Sequence, residues 1–212
     1  AYAEIRYLSV GNSLVFSKQT HTTNVRVVTE EDLGKGFLRD RDYTDVDGLI
    51  TNVPGITLAT FYADCVPLFF VDPVHKAIGL SHSGWKGTVG KIGKVTVEEM
   101  TKQYGTDPKD VLAAIGPSIC QSCYEVSEDV ILQFQESFEK QFWPELFYAK
   151  ENGKYQLNLW RANELIFEEA GILREHYYTT NVCTCCNPGY LFSHRASHGK
   201  RGNLGAFLQL KP

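Results

Sequence analysis

Metal binding and nucleophilic catalysis both draw on histidine and cysteine, and this chain carries six of each. Three of them stand out by their settings. His82 opens the turn Ser81-His82-Ser83-Gly84-Trp85-Lys86-Gly87-Thr88, directly after a strand-like run. A rigid strand positions such a residue while the loop exposes it. Gly84 and Gly87 let the backbone approach a ligand, and the helix start that follows favours an anion beside Lys86. The turn is no Walker loop, because a Gly-Lys-Ser/Thr ending does not fall at the required offset. It also reads as a tight turn whose glycines serve geometry alone. Cys65 lies in Tyr62-Ala63-Asp64-Cys65-Val66-Pro67-Leu68, where the charge of Asp64 and the pairing-breaker Pro67 interrupt two strand patterns. In an apolar setting a lone cysteine is ordinarily a small core residue. His21, in the polar stretch Lys18-Gln19-Thr20-His21-Thr22, is by itself an ordinary surface histidine.

Taken together, His21, Cys65 and His82 could form a three-ligand N,S,N site. Three protein ligands leave a fourth position open, as in catalytic rather than structural zinc. Their positions match no local zinc-finger spacing, so only the fold can unite them. The same residues serve a second chemistry without metal, a Cys65 thiolate paired with a His82 imidazolium as a hydrolase nucleophile. A third reading is non-catalytic: Cys120-x-x-Cys123 with Cys183-x-Cys185-Cys186 as a structural zinc site in a binding module. The second half of that group lacks the usual spacing, so these thiols are expected to pack instead.

The elements that must position these residues can be read from apolar patterning. Strands are expected at Ile5–Val10, Val25–Val28, Ile56–Tyr62, Val66–Val71, Ala77–Leu80, Val111–Ile115 and Leu204–Leu210. Helical spacing links Val89, Ile92, Thr96, Met100 and Gln103, ending near Gly105. Ser127 caps a second predicted helix and Asn158 a third, which Gly171 stops. Strands come early and long helices later without βαβ alternation, which predicts an α+β fold.

Composition narrows the function classes. The 212 residues suit one domain with a substantial core. A net charge of −4 gives no reason to expect nucleic acid. No apolar run approaches the ~20 residues that cross a bilayer, and the six cysteines do not suggest a disulfide framework. Reduced thiols and a cytoplasmic setting are expected.

Several blocks together resemble the YfiH/YlmD family, formerly described as multicopper polyphenol oxidoreductases or laccases. They are Gln19-Thr20-His21, Thr60–Leu68 around Ala63-Asp64-Cys65-Val66-Pro67, and His82-Ser83-Gly84-Trp85-Lys86-Gly87-Thr88. Further along come Gly116-Pro117-Ser118-Ile119 with Cys123-Tyr124-Glu125-Val126, and Leu159-Trp160-Arg161-Ala162-Asn163. Cys183-Thr184, Phe192-Ser193-His194-Arg195 and Gly202 complete the series in family order. The resemblance implies a single domain over residues 1–212 with a four-layer α/β/β/α arrangement of two mixed sheets. It implies metal ligands at His21, Cys65 and His82, zinc as cofactor with copper as the second candidate, and phosphorolysis of adenosine, inosine and methylthioadenosine together with adenosine deamination. Some relatives are linked to peptidoglycan quality control. Departures are Thr22 where the family has Gly and Asn158 where it has Asp; a Gly-Gly-x-Ser turn is not found, and the N-terminal segment is expected to be shortened.

On this reading the partners are purine nucleosides and phosphate, with neither nucleic acid nor membrane, and the protein is a monomer or homodimer. Lys86 and Arg195 are the candidates to bind phosphate, Arg201 a weaker one, and Gln19 joins them as a substrate-binding candidate. Asp64, next to Cys65, is the carboxylate to shuttle protons, so Cys65, His82 and Asp64 form the expected catalytic group. Reduction of oxygen at four coppers would need about ten imidazoles, more than the chain possesses. Cytidine-type deaminases use His-x-Glu and Pro-Cys-x-x-Cys, and neither is found.

Overall fold

Strands in this protein form where apolar runs are rich in β-branched and aromatic residues, and the longest runs become the centre of the molecule. A computed structural model describes residues 12–211. Its strands are β1 (Leu14–Phe16), β2 (Val25–Val27), β3 (Gly48–Thr51), β4 (Thr57–Tyr62), β5 (Val66–Asp72) and β6 (Ala77–Ser83). Later come β7 (Leu112–Ile115), β8 (Glu125–Val126), β9 (Phe147–Ala149), β10 (Tyr155–Leu157), β11 (Tyr177–Thr179) and β12 (Leu204–Gln209). The helices are α1 (Trp85–Val89), α2 (Ile92–Tyr104), α3 (Glu128–Ser137), α4 (Trp143–Leu146) and α5 (Leu159–Glu169).

The large sheet runs β11-β7-β5-β6-β3-β2. Its outer pairs β11/β7 and β2/β3 are parallel and its inner pairs antiparallel. A second mixed sheet, β1-β4-β12, has β4 parallel to β1 and antiparallel to β12. A small antiparallel sheet, β8-β10-β9, lies apart from them in the pairing order. The two mixed sheets face each other through Val15, Leu49, Leu58, Ile78 and Leu80. On its other face the large sheet packs Leu68, Phe70 and Ile50 against Met100, Ile166 and Phe167 of α2 and α5. Each such buried side chain contributes about 1.5–3 kcal/mol relative to exposure. Cover on both faces explains why β5 and β6 read as continuous apolar runs rather than alternating ones. The fold is α+β, as the order of elements in the sequence predicts, with the two mixed sheets that the resemblance implies.

Several sequence expectations change in detail. The strand expected to stop at Leu80 continues through Ser83, so His82 lies inside β6, opposite Pro67 of β5. The helix predicted from Val89 is two helices, broken at Gly90 and Lys91, where Lys91 is left-handed at φ 58°. Gly105 caps α2 at φ 76°. Asn158 caps α5 as expected, its side chain accepting from the Arg161 N–H. Ser127 precedes α3 without a capping hydrogen bond of its own to the helix backbone. The strand expected at Ile5–Val10 falls outside the described residues. Among the described residues no helix is long and apolar enough to cross a membrane.

Candidate metal centre and its two cavities

The centre is organised by a residue to which the sequence analysis gave no role. Asp47, just before β3, is completely buried. His21 takes a left-handed backbone (φ 67°), and this bends the loop so that consecutive amides face one carboxylate. The N–H groups of Thr20, His21 and Thr22 donate to Asp47 at 3.1, 3.0 and 2.8 Å, and the Thr22 hydroxyl adds a fourth bond at 2.9 Å. Nδ1 of His82 lies 2.8 Å from Asp47 Oδ1. Burial pushes the Asp47 carboxyl up, but His82 and the backbone amides outweigh it and hold the group at about 2. An ionised carboxylate only accepts, so Nδ1 of His82 carries the proton and Nε2 is the atom presented to a metal.

Cys65 is delivered by the β4–β5 turn, in which Asp64 is left-handed at φ 85°. Its Sγ is 3.9 Å from Nε2 of His21. The rings of His21 and His82 lie 5.0 Å apart at 73°. Ligand atoms of His21, Cys65 and His82 all fall within 4.8 Å of one another. A Cβ on Gly84 would come within 2.7 Å of His21 Cδ2 and 3.1 Å of Cys65 Sγ, so only glycine leaves this convergence intact. Burial pushes the Cys65 thiol up, but the two imidazoles outweigh it and bring it down to about 6. His82 is pulled down by burial and raised further by Asp47 and Cys65, to about 9. The residues fit a single metal ion with an N,S,N donor set. Without a metal they favour a thiolate–imidazolium pair. The chain's other histidines do not add to the set: His75 is held by Asp72 and His176 by the Lys109 carbonyl, and neither His194 nor His198 joins the group.

Two cavities share His21 and Cys65. One, of about 280 Å³, has apolar walls from Trp85, Ile119, Tyr124 and Leu159, with Asp64 and Lys86 as its other polar members. The Lys86 ammonium lies 5.6 Å from the Trp85 ring centroid. The other cavity, of about 360 Å³, is cationic, lined by Lys18, Arg41 and Arg201 together with Gln19 and His82.

The remaining expected site residues divide between these places. Asp64 is buried beside Cys65, its carboxylate accepting from the Thr184 hydroxyl at 2.6 Å and the Arg195 N–H at 2.7 Å. Gln19 lines the cationic cavity, but its amide is committed to the Phe61 backbone, donating to the carbonyl and accepting from the N–H. Arg201 is exposed there and donates to Asn203. Arg195 departs from expectation, since it lines neither cavity. Its guanidinium donates to the Glu125 carbonyl at 2.8 Å and lies over the Tyr124 ring. The turn that carries it delivers a backbone amide to Asp64, which leaves the guanidinium to brace a cavity wall. Sequence reasoning missed Asp47, Arg41 and the wall residues. For Asp47 the only signal was a charge directly before a short apolar run; for Arg41, inside a run of alternating charges, there was none.

Residues 3–211 match the family described as multi-copper polyphenol oxidoreductase laccase. The chain is 38% identical over 208 residues to the purine nucleoside phosphorylase YlmD of Bacillus subtilis, covering 94% of this chain and 71% of that protein. It is 35% identical over 191 residues to adenosine deaminase RL5 of an unknown prokaryote, covering 87% and 70% respectively. A crystal structure of the Bacillus licheniformis YfiH protein superposes with a TM-score of 0.91 at 34% identity, covering 99% of this chain and 78% of that one.

Proposed function

The chain belongs to the YfiH/YlmD family, and from that premise we propose that it is a purine nucleoside phosphorylase that also deaminates adenosine, dependent on one zinc ion held by His21, Cys65 and His82. The observation that carries this reading is the placement of a three-ligand centre between an aromatic cavity and a cationic one. Thiolate with two imidazoles suits zinc or copper rather than magnesium or calcium. The family's multicopper description does not fit this chain, because only two imidazoles converge with the one thiolate.

The purine ring packs in the cavity walled by Trp85, Ile119, Tyr124 and Leu159, where flat aromatic surface suits a heterocycle. The phosphate sits near Arg41 and Arg201, whose planar forks match its oxygens, with Lys18 adding charge. The ribose then spans the shared floor at His21 and Cys65. In phosphorolysis a phosphate oxygen forms the bond to C1′ as the bond from C1′ to the purine nitrogen breaks, and the purine departs with a proton. Lys86, beside Trp85, holds the polar edge of the base. In deamination water replaces the exocyclic amino group, and Asp64, fixed by Thr184 and Arg195, accepts the water's proton and returns it to the departing ammonia. When bound, the metal supplies positive charge that lowers the pKa of a water to ~7. Asp47 holds His82 in the tautomer that leaves Nε2 free.

A second reading rests on the depressed Cys65 thiol beside the raised His82, a pair suited to nucleophilic hydrolysis. Both are tested by product analysis with adenosine, inosine and methylthioadenosine, with and without phosphate, before and after removal of metal. Phosphorolysis yields free purine and pentose 1-phosphate only with phosphate, while deamination yields ammonia regardless, and both cease without metal. Undiminished turnover in metal-free protein would reject the metalloenzyme reading and favour the Cys65–His82 pair.

A further inference from the structure

A second group of soft ligands lies outside this centre, on two segments distant in sequence. Sγ atoms of Cys120, Cys123, Cys183 and Cys186 all fall within 4.8 Å of one another. Taken as Cys183-x-Cys185-Cys186, the second segment lacks the usual zinc spacing. The fold selects Cys186 and leaves Cys185 to pack against the core, so the group is Cys-x-x-Cys twice. Such paired spacing is the ordinary ligand pattern of structural zinc.

The local geometry has further features of a metal-thiolate site. The segments are joined by a parallel bridge between Ser118 and Cys183, with the Thr184 N–H donating to the Ser118 carbonyl at 3.1 Å. Residues Gln121–Cys123 form a single 3-10 turn, which brings Cys123 round to the side of Cys120. Sγ of Cys183 accepts the N–H groups of Cys120 and Cys186, at 3.3 and 3.4 Å. Backbone donors aimed at sulfur stabilise a thiolate. Cys186 Sγ lies 3.9 Å from that of Cys120 and 3.4 Å from that of Cys123. Sulfurs held 2.3 Å from one tetrahedral zinc are about 3.8 Å apart, a value that lies between these two separations. A four-iron cluster would seat each thiolate on a different corner and spread the sulfurs further. Four thiolates this close repel one another, and a divalent cation is what lets them ionise together.

We propose that Cys120, Cys123, Cys183 and Cys186 bind a second, structural zinc ion through four thiolates. The proposal rests on none of the catalytic reading. The ion ties the 118–126 segment, which carries the cavity residues Ile119 and Tyr124, to the 183–195 segment, which holds Asp64 through Thr184 and Arg195. It therefore fixes a wall of the purine cavity while touching no substrate.

Zinc content is measured on protein purified without added metal, and cadmium-113 NMR is recorded on the cadmium-exchanged whole chain. The expected result is about two zinc ions per chain and two cadmium resonances, one at the far downfield position of a four-sulfur environment. Cys186→Ser, at the most exposed of the four, loses the downfield resonance and one zinc and keeps the other. Cys65→Ser does the reverse, and Cys185→Ser keeps both. Failure of Cys186→Ser to fold leaves the wild-type resonances as an independent readout. A single zinc lost only with Cys65, a Cys123–Cys186 disulfide in peptides mapped without reductant, or iron in place of zinc would each overturn the proposal. None of these outcomes depends on nucleoside turnover, so failure here and failure of the catalytic reading are separable.

Discussion

Replacing Asp47 with asparagine changes one atom and tests how the centre is held. The asparagine oxygen can stand where Oδ2 stands and keep the bonds from the Thr20 N–H, the Thr22 N–H and the Thr22 hydroxyl. Its NH2 then faces the His21 N–H and His82 Nδ1, the two groups that Oδ1 now serves. The His21 amide is left with no acceptor in a partly buried place, a cost at the lower end of about 1–3 kcal/mol. Loss of the charged acceptor for the remaining donors brings the total to about 2–4 kcal/mol. To accept from the new NH2, His82 must shed its Nδ1 proton and carry one on Nε2, the atom that faces Cys65 and would face the proposed metal. Outer-sphere carboxylates of this type are worth about 10–100-fold in metal affinity. Urea unfolding of chelator-treated protein reads the first number, and zinc competition titration reads the second. A stability loss of the expected size with unchanged zinc affinity would refute the tautomer argument and leave Asp47 a loop clamp only. The opposite flip of the amide orphans two backbone donors, the Thr20 and Thr22 amides, instead of one, while the Thr22 hydroxyl keeps the Asp45 carbonyl, so neither orientation escapes a cost.

Gly84→Ala places a methyl against His21 and Cys65 while its backbone, at φ −73°, accepts alanine without strain. Metal affinity is expected to fall at least about tenfold with unchanged circular dichroism; full metal occupancy would show that the His21 loop yields freely. In metal-stripped protein the Cys65 thiol is depressed to about 6, so its thiolate is present above that pH. Alkylation by iodoacetamide should therefore rise through about pH 6 rather than near the ordinary ~8.5, and a rise only near the ordinary value would contradict the two-imidazole environment. Arg41→Ala and Arg201→Ala should each raise the KM for phosphate about tenfold or more, whereas Lys86→Ala should raise that for the nucleoside. Arg195→Lys should leave the phosphate constant nearly unchanged, and a marked rise would return Arg195 to the phosphate site.

The sequence by itself determined the centre of the fold and singled out the three residues, His21, Cys65 and His82, that the fold brings together. Strands β4, β5, β7 and β12 and helices α2, α3 and α5 follow from apolar runs and helical spacing, because burial of a long element imposes its period on the residues that form it. His21, Cys65 and His82 were legible through the ordered blocks around them, though not through spacing, since each comes from a different turn or strand end. Short strands such as β1, β3 and β8, of two to four residues, left no trace of their own, because so few residues cannot repeat a pattern; β7, equally short, was read only through the longer apolar run Val111–Ile115. Asp47 became visible only when β3, unread in the sequence, set it beneath the loop of residues 20–22 and beside His82. Likewise Cys185 and Cys186 are adjacent and alike in sequence, and only the turn after Cys183 decides which sulfur meets Cys120 and Cys123. The direction of Arg195 was hidden for the same reason: a residue type states what a side chain can bind, whereas the direction it takes is set by backbone contacts to Asp64 made from 131 residues away. Periodicity reports burial along one element, while a hydrogen-bond hub or a ligand cluster exists only between elements, and so it is decided when they pack.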